Sequence, residues 1–247
     1  MPFNKGRQAV AAQLPEESYE PQARLLALVD IASSGALRLE ISPDAGRFLV
    51  ANKRVEAGAE LWHDDVYAQV PHGQDACNFC MASVASECCE VCLSRFCVAC
   101  RDKASCVHAA ECLALAAIKS AGHNLVTSQK HARLAIRTLA HRAANGPPQE
   151  GKQHWTDVVT SVAHAKTVAA LPSKLWANMK SDGELLFTLL PPSVTMGIKP
   201  LDITLLLLRI KYNAATIGHI DNGGYTPVAS TCKSLVTPVA SISKCLA

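Results

Sequence analysis

Nine of the eleven cysteines in this 247-residue chain lie between residues 77 and 112. Six of them form three Cys-x2-Cys pairs, and the segment closes with one His-x3-Cys pair. A two-residue gap lets both thiolates of a turn reach one metal ion, and a three-residue gap places two ligands on one helix face. The candidate metal ligands are Cys77, Cys80, Cys89, Cys92, Cys97, Cys100, His108 and Cys112. Four such pairs are enough for two tetrahedral zinc sites.

Two other interpretations of the cluster remain open from the spacing alone. The cysteines could be buried structural residues without a metal, or a zinc ion could be catalytic, which requires a vacant coordination position. Eight ligands for two ions leave no vacancy, so we expect structural zinc. Cys88 and Cys106 fall outside the pairs, and we predict that both are spare thiols.

The rest of the sequence indicates where the chain resides. Nothing in residues 1–13 resembles a secretory signal, and the most apolar run, residues 203–208, is far shorter than the roughly 20 residues that span a bilayer. We therefore expect an intracellular protein, in the cytoplasm, the nucleus or both, where reduced thiols favour metal sites over disulfides. Seven thiolates and two zinc ions would bring the formal charge of +3 to about zero, which gives nucleic-acid binding no support.

Outside the cluster, hydrophobic periodicity predicts an α+β chain. Residues 1–20 are predicted to be a loose tail, followed by a helix over 22–36 and a small β-meander over 36–71, with strands at 38–41, 48–51, 60–62 and 66–70. Further helices are predicted at 109–120, 129–144, 155–171, 174–180, 184–190 and 200–215, with irregular chain from 218 onward. Thr-Pro-Val-Ala-Ser at 226–230 recurs at 237–241, and two copies are too few for a solenoid.

The cysteine pattern resembles that of a MYND zinc finger, in which two interleaved sites are filled by Cys-x2-Cys pairs, a further cysteine pair and His-x3-Cys. The resemblance implies that one zinc ion is held by Cys77, Cys80, Cys97 and Cys100, and the other by Cys89, Cys92, His108 and Cys112. MYND fingers bind short, often proline-containing peptides. The resemblance therefore also implies a protein or peptide partner for this chain.

The flanks of the finger are similar to a SET domain that a MYND finger interrupts. Residues 46–51 and 55–61 resemble the opening of a SET domain, and residues 212–217 resemble a later strand of that family. The implied fold is a partial, β-rich SET fragment split by the finger and followed by a helical insert. Its divisions are an N-terminal tail and helix (1–35), a first SET part (36–76), the finger (77–112), a helical insert (113–199) and the start of a second SET part with an irregular tail (200–247).

SET-and-MYND proteins transfer a methyl group from S-adenosylmethionine to lysine side chains of proteins. The resemblance places Gly46, Arg47 and Asn213 at the cofactor. The chain lacks the family's N-H-S-C-x-P-N segment and the tyrosine that follows it, so no catalytic residue is assigned. We thus expect either a member of this methyltransferase family, represented by a truncated product, or a non-catalytic adaptor whose finger binds a partner peptide.

Overall fold

A computed structural model describes residues 3–17, 23–42, 46–56, 58–62, 66–73, 75–82, 85–120, 125–150, 152–221 and 224–232. The helices of this part of the chain are α1 Phe3–Gln13, α2 Ala23–Ser33, α3 Val98–Ser120, α4 Gln129–Ala144, α5 Trp155–Val159, α6 Ala165–Ala170, α7 Leu175–Leu189, α8 Pro192–Thr195 and α9 Pro200–Asn213. The strands are β1 Leu37–Ser42, β2 Gly46–Ala51, β3 Ala68–Pro71, β4 Glu87–Cys88, β5 Arg95–Phe96, β6 Ala215–Asp221 and β7 Gly224–Cys232. The mixed α+β class predicted from the sequence is confirmed.

Helix α4 lies at the centre of the main core. Its N-cap is Ser128, whose hydroxyl accepts a hydrogen bond from the His131 amide at 3.3 Å. Every residue from 132 to 140 except Arg133 is buried, because α3, α8, α9 and β3 all pack around this helix.

Helix α9 supplies the apolar run noted in the sequence. Residues 203–208 are all buried, as expected of a core segment. The helix packs closely on α7, where Gly183 faces Thr204: a Cβ added at Gly183 would overlap Thr204 Oγ1 and lie 2.9 Å from Thr204 N. Among the described residues, no helix combines the length and the apolar character that a membrane crossing needs.

The predicted β-meander over 36–71 is correct only in its first hairpin. Strands β1 and β2 do form an antiparallel hairpin, with Leu37 opposite Ala51 and Ser42 opposite Gly46. Residues 60–62, however, form no strand, and β3 pairs with β7 in a separate sheet of order β3-β7-β6. A local alternation pattern identifies a strand, but the partner of that strand depends on distant chain.

The two end segments were predicted to be irregular, and their described parts are more regular than that. Residues 3–13 form α1, which packs against α6 and leads into the buried Leu14. Residues 215–221 and 224–232 form the antiparallel strands β6 and β7, and the first Thr-Pro-Val-Ala-Ser copy, at 226–230, lies inside β7. The second copy, at 237–241, lies outside the described residues.

Three helix predictions need correction. The helix expected over 155–171 is broken: α5 ends at the C-cap Thr160, and α6 begins after His164, which adopts a left-handed conformation with φ of 54°. The two helices expected at 174–180 and 184–190 are one continuous helix, α7, with the tightly packed Gly183 inside it. The helix expected at 109–120 begins at Val98.

Candidate metal centre

Two turns of the same shape open the cysteine-rich segment. In each, the amide after the second cysteine donates to the carbonyl of the first: Met81 N to Cys77 O at 3.0 Å, and Leu93 N to Cys89 O at 2.9 Å. The turns require left-handed backbone at Met81 (φ 64°) and Leu93 (φ 58°), a conformation that costs an L-residue roughly 1–2 kcal/mol. This geometry brings the two thiols of each turn together.

The first ligand group contains Cys77, Cys80, Cys97 and Cys100, whose sulfur atoms all lie within 4.8 Å of one another. Cys97 immediately precedes α3 and Cys100 lies in its first turn. The Sγ atoms of Cys80 and Cys97 are 3.8 Å apart. Two backbone amides, of Phe79 and Cys97, point at Cys77 Sγ at 3.5 and 3.4 Å, as suits a thiolate acceptor.

The second ligand group contains Cys89, Cys92, His108 and Cys112, again with all ligand atoms within 4.8 Å. His108 and Cys112 lie one turn apart on α3. The Sγ atoms of Cys89 and Cys112 are 3.6 Å apart, and Cys92 Sγ lies 3.9 Å from His108 Nε2. The structure thus gathers the eight predicted ligands into the same two interleaved groups that the MYND resemblance implies.

These distances suit tetrahedral metal coordination. A regular tetrahedron with Zn–S bonds of about 2.3 Å has edges of about 3.8 Å, close to the Sγ–Sγ distances in both groups. A disulfide would need about 2.05 Å between sulfur atoms, and all nine cysteines between residues 77 and 112 are free. Each group therefore offers a closed set of four ligands that could hold a metal ion.

Without a metal, the thiols of each group differ in acidity. Burial raises the pKa of Cys77, but the amides of Cys80, Cys97 and Phe79 outweigh burial and lower it to about 7. Burial acts in the same way on Cys89, yet the Cys92 amide and the His108 side chain lower its pKa to about 6. Burial and neighbouring thiols raise the pKa of Cys100 and of Cys112 to about 12. Metal binding must therefore displace protons from both groups.

The imidazole of His108 is fixed from two sides. Phe96 contacts it edge-on, with ring centroids 4.9 Å apart. On the side away from Cys92, its Nδ1 atom is buried and has no hydrogen-bond partner among the described residues, while Glu111 Oε1 lies 3.7 Å away. Cys92 and then Glu111 outweigh burial and raise the pKa of the metal-free His108 to about 10. A carboxylate behind the ligand histidine is the usual support of a metal-bound imidazole.

Two arginines of α4 connect the helical body to the finger. Arg137 binds Glu111 through two hydrogen bonds and also donates from Nη1 to Asn78 O at 2.6 Å. Arg133 donates from Nη2 to Asn78 Oδ1 at 3.1 Å. Because Asn78 lies between the ligands Cys77 and Cys80, α4 holds the first turn in place. The spacing of the cysteines gave no indication of Glu111, Arg133 or Arg137.

Two of the three residues predicted to bind S-adenosylmethionine reach one loop, residues 160–162. Arg47 donates to Thr160 O at 3.1 Å, and Gly46, the residue before it, begins β2 opposite Ser42. Asn213 ends α9 and does not lie in a strand; its side-chain amide donates to Val162 O at 2.9 Å and also to a carbonyl of its own helix. Main-chain carbonyls thus bind one N–H group of Arg47 and the side-chain amide of Asn213.

The spare thiols predicted from the spacing lie outside both ligand groups. Cys88 is in β4 and Cys106 is on α3, and both are exposed. Neither belongs to the four-residue sets that could hold a metal ion.

The chain matches no known family model, and no curated protein matches it. The MYND and SET resemblances therefore stay predictions that depend on the residues quoted for them.

Proposed function

We propose that this chain is a two-zinc protein whose finger is structural and serves as a non-catalytic protein-interaction module. The observation that carries the proposal is the pair of closed ligand sets, one of four cysteines and one of three cysteines and a histidine, each with its ligand atoms within 4.8 Å of one another. Structural zinc sites are four-coordinate and closed, whereas catalytic zinc keeps one position for water or substrate.

The choice of zinc follows from the ligands. Seven of the eight are thiolates and the eighth is an imidazole, a set that favours zinc over hard cations such as Mg²⁺ or Ca²⁺. The finger has only a small core of its own, formed by Phe96, Ala85, Ala104 and the ligands Cys77 and Cys100. Metal binding would therefore supply most of its folding free energy. Such a thiolate-rich module suits a reducing compartment, so an intracellular location is part of the proposal.

Binding of a partner is supported by the surface of the finger. Three large apolar side chains are strongly exposed within it: Val91 by 57%, Leu93 by 51% and Val98 by 69%. Contiguous exposed apolar surface is typical of protein-binding sites, so these side chains are the candidates for such a surface on the finger.

Zinc analysis of the reduced, purified chain tests the metal assignment. We expect two equivalents of zinc per chain, and a Co²⁺-substituted sample with the absorption bands of tetrahedral thiolate sites. Clearly less than two equivalents under reducing conditions would contradict the paired-site assignment, and octahedral Co²⁺ spectra would exclude tetrahedral thiolate coordination.

The second candidate is methyl transfer from S-adenosylmethionine to a lysine-bearing protein. The convergence of Arg47 and Asn213 on residues 160–162 favours it, because two of the three predicted cofactor residues share one location. We rank it second because their N–H groups already bind main-chain carbonyls. Calorimetry with S-adenosylmethionine separates the candidates: we expect no heat of binding at millimolar cofactor, and saturable binding would favour the enzyme.

A further inference from the structure

A cleft of about 400 Å³ lies between the second cysteine turn, the end of α3 and the start of α4. Its volume is in the range of ligand pockets. Three cations line it, Arg95, Lys119 and Arg133, and one carboxylate, Asp75. Its apolar lining consists of Leu93, Leu115 and Ile118.

The cations of the cleft are only partly neutralised. Arg95 faces Asp75 at 3.5 Å. Lys119 and Arg133 have no carboxylate within 4.0 Å among the described residues. The partly buried Arg133 donates to the neutral Asn78 Oδ1, at 3.1 Å. Burial, followed by the charge of Arg137, lowers the pKa of Arg133, and the charges of Glu111 and Cys92 only partly oppose this shift.

The second ligand group, beside the cleft, does not neutralise the cations of the cleft. Cys92 forms part of the wall, and a site of three thiolates and a neutral histidine that holds one Zn²⁺ carries a net charge of about −1. The four charged side chains of the lining sum to two positive charges, so the loaded cleft keeps a positive excess. Charge complementarity therefore favours an anionic ligand.

Leu93 gives the cleft an exposed apolar side chain. Met81 and Leu93 hold the same left-handed position in the two cysteine turns, but Met81 is 8% exposed and Leu93 is 51% exposed. The cysteine turn accounts for the left-handed backbone at both positions, so the difference between them is that Leu93 leaves its apolar side chain exposed at the cleft.

We propose that this cleft binds an acidic peptide segment of a partner protein, with carboxylates on both sides of an aliphatic side chain. The carboxylates would pair with Arg133 and Lys119, and the aliphatic group would cover Leu93. Lys119 is exposed and Arg133 is partly buried, which suits an extended chain that reaches inward from the surface. The proposal rests on the interaction function proposed above and names the chemistry of the partner.

The test uses the full, zinc-loaded chain and a fluorescein-labelled peptide, Gly-Asp-Leu-Asp-Leu-Asp-Gly, monitored by fluorescence anisotropy. We expect saturable binding that weakens with salt, as charge pairing requires. Arg133→Gln should weaken it roughly tenfold and Lys119→Gln several-fold, the usual effect of losing a charge-assisted contact. Arg133→Lys should keep part of the affinity, and Leu93→Asn should lower it without removing the charges.

Matched controls make the result specific. Lys103→Gln removes an exposed charge from α3 outside the cleft and should leave binding unchanged. A peptide with Asn in place of Asp should not bind. Wild-type affinity in Arg133→Gln and Lys119→Gln, or absence of saturable binding, would overturn the proposal, as would a short single-stranded oligonucleotide that competes with higher affinity.

Zinc content, measured on every sample, separates the two levels of inference. A chain with two zinc equivalents and no peptide binding contradicts only the acidic-peptide proposal. A chain with fewer than two equivalents contradicts the proposed metal function itself.

Discussion

Glu111 and Arg137 form a bidentate ion pair inside the protein. Arg137 Nε lies 2.5 Å from Glu111 Oε2, and Arg137 Nη2 lies 2.6 Å from Glu111 Oε1. Their residues are 1% and 4% exposed. The carboxylate also faces the ligand His108, and the guanidinium also reaches the main chain of the first cysteine turn. One buried pair therefore contacts both candidate metal sites and joins α3 to α4.

Glu111→Gln should weaken the site formed by the second ligand group. Removing the carboxylate behind a ligand histidine typically lowers metal affinity about 10–100-fold. The first ligand group contains no histidine for Glu111 to support and meets the pair only through Arg137 and the Asn78 main chain, so its affinity should fall less and serves for comparison. Competition of a chelator against Co²⁺, followed at the absorption bands of each site, measures both affinities in one sample.

A double variant distinguishes orientation of His108 from general destabilisation. Glu111→Gln alone leaves Arg137 buried without its partner, which costs about 3–5 kcal/mol. Glu111→Gln with Arg137→Met removes both charges and should recover much of that stability, yet the metal affinity of the second ligand group should stay low. Recovery of wild-type metal affinity in the double variant would show that Glu111 acts only through the ion pair.

Cys100→Ser should lower the zinc content of the chain and Cys106→Ser should not, although both residues lie on α3. Cys100 is a buried member of the first ligand group and Cys106 is an exposed thiol outside both groups. We expect Cys100→Ser to lose about one zinc equivalent, because a four-coordinate site loses a ligand. Cys106→Ser should keep two equivalents and an unchanged thermal midpoint, and a loss of zinc there would contradict the ligand assignment.

Gly183→Ala should destabilise the fold even though alanine is the better helix former by about 1 kcal/mol. The new Cβ would overlap Thr204 Oγ1 and meet Thr204 N at 2.9 Å, so α7 and α9 must move apart. We expect a loss of about 1–3 kcal/mol in the free energy of unfolding, measured by urea denaturation, as for other overpacked sites. Gly6→Ala on α1, where nothing lies within 4 Å of the new Cβ, should be neutral or stabilising.

His141 should make the protein less stable as the pH falls. Burial and then the charge of Arg137 lower its pKa from 6.5 to about 4, so the folded chain keeps it neutral while the unfolded chain takes up a proton. The contribution of neutral His141 to the free energy of unfolding is fully present above pH 6.5 and is lost as the pH falls toward 4. We expect about 1–2 kcal/mol between pH 7 and pH 5, and His141→Gln should flatten that part of the pH profile of the unfolding free energy.

The candidate site could be predicted because its geometry is local. A Cys-x2-Cys turn and a His-x3-Cys helical pair fix the positions of Cys77 and Cys80, or of His108 and Cys112, within a few residues of chain. The division of the pairs between two ions is not local, and only the family resemblance supplied it.

The residues that support the metal ligands, Glu111 and Arg137, were not predicted, although the sequence contains an indication of them. Arg137 stands inside the apolar stretch of α4, where residues 132–140 are otherwise almost entirely apolar and buried. A cation on a buried helix face requires an acidic partner, and Glu111 is the acid adjacent to the ligand Cys112. Which acid Arg137 would meet depended on how α3 packs against α4, which no local pattern contains.

The pairing of β3 with β7 has a consequence for the way the chain is synthesised. Strand β3 leads directly into the finger, while its partner β7 is the last described strand, beyond every helix from α3 to α9. The finger and the helices can pack through contacts that are near in sequence. Strand β3, in contrast, stays unpaired until β7 has been synthesised. Sheet closure is then a late, high-contact-order step.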